Sequence, residues 1–192
     1  MNGLKRAYID TETTGVDPKL NAVIEIGCII EIDSKVIEKI ELRCQPMPED
    51  VIEQEALDVN KRTREEIAGF SKPRVTHGNF CSILSKYVDK YNPQDKFLFY
   101  GWNCLFDYNF LRQFFLKQGD KYFGSYFFWP PIDVAVLTAE WLGGQRSEIK
   151  DFHLNTVADY LEIEHEKAEL HAALYDAELT RKVYWDILGR EL

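Results

Sequence analysis

The sequence predicts an α/β fold, a mixed β-sheet flanked by α-helices. Two observations carry this. Three extended, β-branched runs separated by short turns fill the first quarter of the chain, and strand-like and helical patterns alternate after them. Short connections favour antiparallel neighbours, whereas strand–helix–strand order favours parallel ones, so the sheet should contain both.

The elements follow in order. Strands are expected at residues 6–10, 23–31 and 36–42, the latter two joined by the turn at Asp33-Ser34. Pro46-Met47-Pro48 ends this pattern, and a polar helical region runs through Glu65-Glu66-Ile67. A helix over 79–91 then leads to a strand at 97–100. The helix headed by Asp107 has Phe110, Leu111 and Phe114 at helical offsets. A candidate short strand at 126–128 and helices over 133–141, 155–161 and 172–188 complete the order. No repeat, low-complexity tract or long linker divides the chain, so a single domain over residues 1–192 is expected at this length.

Five residues in three motifs carry the chemistry. Asp10 and Glu12 stand in Asp10-Thr11-Glu12-Thr13-Thr14-Gly15, Asp107 in Asn103-Cys104-Leu105-Phe106-Asp107, and His171 with Asp176 in His171-Ala172-Ala173-Leu174-Tyr175-Asp176. On a strand, Asp10 and Glu12 point to one face with Tyr8 beside them. Asp107 and Asp176 each head an apolar stripe, the second continued by Thr180, Val183 and Ile187. An acid in that position is costly unless it is paired or binds a metal. Taken singly, these motifs read as a solvated turn, helix-start acids and a surface histidine. Together, four carboxylates and an imidazole can hold two divalent cations and activate a water, the equipment for phosphodiester hydrolysis.

The three motifs resemble those of the DEDD exonuclease superfamily, in its histidine-containing DEDDh (DnaQ-like) branch. The likeness starts with Asp10-Thr11-Glu12-Thr13-Thr14-Gly15 and the strand Val23-Ile24-Glu25-Ile26-Gly27. It continues through Asn103-x-x-Phe106-Asp107 and ends with His171-x-x-x-x-Asp176. Trp102 departs from the pattern, because relatives often place a histidine or a small or polar residue there. The resemblance implies a ribonuclease H-like fold and a 3′–5′ exonuclease that releases nucleoside monophosphates from single-stranded or frayed nucleic-acid ends, DNA favoured.

It also implies roles. Asp10 would bridge two Mg²⁺ or Mn²⁺ ions, Glu12 and Asp176 would complete one, and Asp107 would hold the other. His171 would take the proton from the attacking water. Five helical residues turn through about 500°, so His171 should precede the helix that carries Asp176. His165 lies too far from Asp176 in sequence to fit the motif, and His77 and His153 read as loop or helix-end residues. Substrate contacts are expected from Asn103, from Phe106 by stacking or else as core, from Val16 as a wedge between terminal bases, and from the backbone near Thr13 and Thr14.

Charge is the discordant property. Lys plus Arg number 23 against 32 Asp plus Glu, a net −9, where nucleic-acid binders usually present a basic face. Gripping a few terminal nucleotides neutralises few phosphates, so acidity argues only against tight binding to long duplex. Lys61, Arg62, Arg64, Lys72, Arg74, Arg146 and Lys150 are the candidate phosphate contacts. The four cysteines lack the paired short spacing of zinc motifs and read as buried free thiols. With no apolar run of membrane length and no signal-peptide core, a soluble cytoplasmic protein is expected. RNA as substrate, a non-catalytic binding subunit on the same fold, and a polymerase or homodimer partner stay as alternatives.

Overall fold

The computed structural model describes residues 3–166 and 172–189. One five-stranded sheet is built from β1 (Lys5–Thr13), β2 (Val23–Ile32), β3 (Lys35–Arg43), β4 (Leu98–Gly101) and β5 (Ile132–Asp133), in the order β3-β2-β1-β4-β5. The first three strands form the expected antiparallel meander, and β4 and β5 add in parallel on the other side of β1. The chain reverses between β2 and β3 through Asp33 and Ser34, both at positive φ (51° and 65°), a conformation Asp tolerates better than most residues.

Helices cover both faces, and the period of two along β1 decides which residue meets which layer. Ala7 and Ile9 pack with Cys28 and Ile30 against Phe80 and Leu84 of α3 (Pro73–Leu84) and Phe110, Leu111 and Phe115 of α4 (Leu105–Lys117). Tyr8 faces the opposite way, with Ile29 and Tyr100. It meets α5 (Val134–Leu142), α6 (Leu154–Tyr160) and α7 (Ala173–Ile187) through Val134, Val157, Val183 and Trp185. A smaller cluster seats α1 (Gln54–Val59) and α2 (Arg64–Ala68) by Leu57 and Ile67 against Ala22 and Ile24.

Beneath α7 lies a buried ion cluster. Glu31, fully buried on β2, accepts from Arg6 at 3.1 Å, Arg181 at 2.7 Å and Trp185 Nε1 at 2.9 Å. The three donors desolvate the carboxylate without leaving it uncompensated, and they tie α7 to the sheet.

Two expectations need correction. The helix placed at 79–91 runs from Pro73 to Leu84: proline is pre-set for the first helical turn, and Thr76, Phe80 and Leu84 form its buried stripe. His77 therefore lies inside that helix and not in a loop. The strand placed at 126–128 is a single bridge, Phe97 to Phe127, and the strand on the outer edge of β4 is the two-residue β5. Among the described residues no helix is long and apolar enough to cross a membrane.

Candidate active site

The site sits at the carboxyl end of β1. Asp10 and Glu12 leave the strand on the side facing α7, as the alternation predicts. Their neighbours on β2 are Gly27, opposite Asp10, and Glu25, opposite Glu12. A Cβ on Gly27 would lie 2.1 Å from the carbonyl carbon of Ala173, so only glycine lets the first turn of α7 come down on the sheet. Glu25 holds it there. Its Oε1 accepts from the Ala173 N–H at 3.1 Å, while its Oε2 pairs with Arg62 at 2.8 Å and Arg43 at 3.4 Å. This docking delivers Asp176 from the first turn of α7. One carboxylate oxygen from each of Asp10, Glu12 and Asp176 lies within 4.8 Å of the others.

Asp107 arrives from the opposite layer. The parallel ladder between β1 and β4 ends at Tyr8–Tyr100, and beyond it Asp107 Oδ1 accepts from the Thr11 N–H at 2.9 Å and the Thr11 hydroxyl at 2.8 Å. Asp107 is buried in the first turn of α4, near enough to Asp10 to be the strongest charge acting on it. Asn103, with φ 54°, makes the tight entry to α4, and its N–H bonds Asp133 Oδ1 at 3.1 Å. The same oxygen accepts from the Ala135 N–H at 2.9 Å to cap α5.

Crowding these acids together raises their proton affinity. Burial pushes Asp10 well above its ordinary value, and the charges of Asp107, Asp176, Glu12 and Glu25 add to it. Glu12 is pushed up to about 8, again chiefly by burial, with Asp176, Glu25 and Asp107 adding and Arg62 opposing. Asp107 reaches about 7 through burial, held down by its Thr11 bonds and raised by Asp133. At neutral pH such a set resists full ionisation unless a cation balances it. An all-carboxylate donor set suits a hard divalent ion such as Mg²⁺ or Mn²⁺.

The remaining predicted residues separate by environment. Val16 is 76% exposed beside the first motif. Phe106 is half-buried, its ring 4.7 Å from Phe110 and packed on the core. Thr13 and Thr14 are buried and brace the loop. The Thr13 hydroxyl donates to Gly15 O at 2.7 Å, and Thr14 donates to Val51 O at 2.7 Å while accepting from the Ala22 N–H at 2.9 Å. Trp102 stacks on Phe152 and donates to its carbonyl at 3.1 Å, with Arg146 lying 4.1 Å over the Phe152 ring. Arg62 is committed to Glu25. His171 lies outside the described residues.

Sequence reasoning gave no role to Thr11, Glu25, Gly27 or Asp133. For Glu25 a signal was present: an acid inside the apolar run Val23-Ile24-Glu25-Ile26 must find partners.

Known proteins share this fold. DNA polymerase III subunit epsilon of Rickettsia typhi is 28% identical over 98% of this chain and 76% of its own length. Exonuclease I of E. coli, solved with a dT13 oligonucleotide, superimposes with a TM-score of 0.75 at 18% identity over 96% of this chain. The apo form of exonuclease I gives 0.78 at 18% identity over 98%. The chain spans about two-fifths of the length of those exonuclease I chains, and the shared fold is the ribonuclease H-like sheet. A family model described as exonuclease (RNase_T) matches residues 8–184, which hold all three motifs, and the chain belongs to that family within the DEDD exonuclease superfamily.

Proposed function

We propose that this chain is a metal-dependent 3′–5′ exonuclease of the DEDDh branch, releasing nucleoside monophosphates from single-stranded or frayed ends, with DNA favoured. The observation that carries it is the convergence of Asp10, Glu12 and Asp176 within 4.8 Å, with Asp107 beside Asp10. Sequence likeness to a polymerase III epsilon subunit and fold likeness to an exonuclease solved with a dT13 oligonucleotide support the choice of DNA and of a single strand.

Two divalent cations, Mg²⁺ or Mn²⁺, would be held by Asp10, Glu12, Asp107 and Asp176. When bound, they lower the pKa of the attacking water and neutralise charge on the leaving oxygen. The protein does the rest. Thr11 fixes the Asp107 carboxylate, and Glu25 with Gly27 sets the height of Asp176. Val16 and Phe106 offer apolar surface to terminal bases, next to Asn103, Thr13 and Thr14. His171 accepts the proton of the attacking water, a role carried by its motif. The catalytic unit is one domain over residues 1–192, working in the cytoplasm. A polymerase partner is a second proposal, favoured by the relative that is itself a polymerase subunit.

The test is digestion of matched single-stranded DNA and RNA, labelled at the 5′ end, with Mg²⁺, with Mn²⁺ and with chelator, beside Asp10→Ala protein. A metal-dependent ladder shortening from the 3′ end, faster on DNA and absent in Asp10→Ala, is the expected result. Full activity in cleanly purified Asp10→Ala protein overturns the site. Faster RNA digestion moves the substrate to the exoribonuclease alternative, and no cleavage by folded protein points to a binding subunit.

A further inference from the structure

A second group of metal-ligating side chains lies away from the acids, between α3 and the turn that follows α4. His77 and Cys81 stand one helical turn apart on α3 and therefore share a face. Asp120 reaches them from the turn after α4. His77 Nε2 is 3.5 Å from Cys81 Sγ and 3.2 Å from Asp120 Oδ2, and one donor atom from each residue lies within 4.8 Å of the other two.

The 3.5 Å and 3.2 Å spacings match two edges of a coordination tetrahedron. With zinc–sulfur near 2.3 Å and zinc–nitrogen or –oxygen near 2.0–2.1 Å, tetrahedral angles put sulfur and nitrogen donors about 3.5 Å apart. The same angles put nitrogen and oxygen donors about 3.3 Å apart. The imidazole is held in place, its ring edge-on to Phe115 at 4.6 Å. Burial lowers the His77 pKa, which keeps the ring in the neutral form that ligates, with Asp120 opposing and Arg74 reinforcing the shift. Burial pushes the Cys81 thiol up to about 11, so a cation must displace its proton on binding. A thiolate and a carboxylate then balance a 2+ charge. The His77 and Asp120 side chains keep 15% and 22% exposure, so water reaches the group.

We propose that His77, Cys81 and Asp120 form a second divalent-cation site, taking a borderline-soft ion of the zinc class through sulfur, nitrogen and oxygen donors. Hard Mg²⁺ is disfavoured there because thiolate and imidazole replace oxygen ligands. The ion would clamp α3 to the turn beyond α4, on a part of the molecule that carries none of the four clustered acids.

The test is titration of the full chain with Co²⁺ alone, in wild-type and Asp10→Ala protein, under a non-chelating reductant. A thiolate-to-cobalt charge-transfer band saturating at about one equivalent in both proteins, and bleached by Zn²⁺, is the expected result. The band should disappear in Cys81→Ser, and Co²⁺ affinity should fall at least about tenfold in Asp120→Asn. Should Cys81→Ser fail to fold, the Asp120→Asn titration and a Zn²⁺-induced rise in Tm, lost in Asp120→Asn, decide the matter. No band in wild-type protein, or a band that survives unchanged in Cys81→Ser or Asp120→Asn, overturns the proposal.

Discussion

Asp107 Oδ1 accepts two hydrogen bonds from Thr11, one from its main chain at 2.9 Å and one from its hydroxyl at 2.8 Å. A residue on the far face of β1 thus aims an acid that belongs with the near face. Thr11→Val keeps the backbone bond and removes the hydroxyl. We expect stability to fall by about 1.5–3 kcal/mol, the worth of a hydrogen bond to a charged group, read by urea denaturation. The single-turnover rate on single-stranded DNA should fall roughly tenfold to a hundredfold through misplacement of the carboxylate. An unchanged rate would show that Asp107 is aimed by something else.

The crowded acids make the metal-free protein sensitive to pH. Glu12 and Asp107 bind protons more tightly folded (about 8 and about 7) than their ordinary values of 4.5 and 3.8. A raised value means that their contribution to stability is full below the ordinary values and is lost as pH rises through the folded ones. With chelator, Tm should therefore decline between about pH 4 and pH 8, and Mn²⁺ or Mg²⁺ should restore most of the loss at the alkaline end. Asp10→Asn should flatten the decline even without metal. A Tm that rises over this range in chelator contradicts the assigned crowding.

Gly27→Ala places a methyl group against the Ala173 backbone at 2.1 Å, where nothing flexible can give way. The first turn of α7 must lift, at a cost of about 1–3 kcal/mol or more, and Asp176 lifts with it. Nuclease activity should drop at least about tenfold. Gly78→Ala is the control, because a Cβ there meets nothing within 4 Å and alanine is the better helix former. Parallel melts and rates for the two variants check the contrast.

Glu31→Ala strips the shared partner from Arg6, Arg181 and Trp185; Arg181 keeps Glu178 at 3.9 Å, but the buried Arg6 loses its carboxylate. A loss of about 3–5 kcal/mol is expected, measured as the shift in the urea midpoint. A loss below about 1 kcal/mol would mean that solvent reaches the cluster when Glu31 is removed.

The parts of this molecule legible in its sequence are those fixed by local pattern. β1 to β3 show as extended, β-branched runs with short turns between them, and Asp107 and Asp176 announce themselves as acids at the head of apolar stripes. Pro73 was readable as a helix start, but the polar residues after it hid a stripe whose members lie four apart. Thr11 was hidden by the same alternation that revealed Asp10 and Glu12: it faces away from them. It reaches Asp107 only because the β4 ladder stops short, a tertiary fact with no local trace. The site at His77 escaped because the cysteines were compared with one another, while their donors are a histidine and an aspartate.

The seating of α7 over β1 and β2 has a consequence for the order in which this protein is made. Asp176 leaves the ribosome 166 residues after Asp10 (176 − 10). The sheet and the α3–α4 layer can form while synthesis continues, since domains assemble from the amino terminus onward. Until α7 docks at Gly27 and Glu25, the acids of β1 lack their third member. On the proposed function, the nascent chain would be unable to attack the nucleic acid around it until α7 is in place.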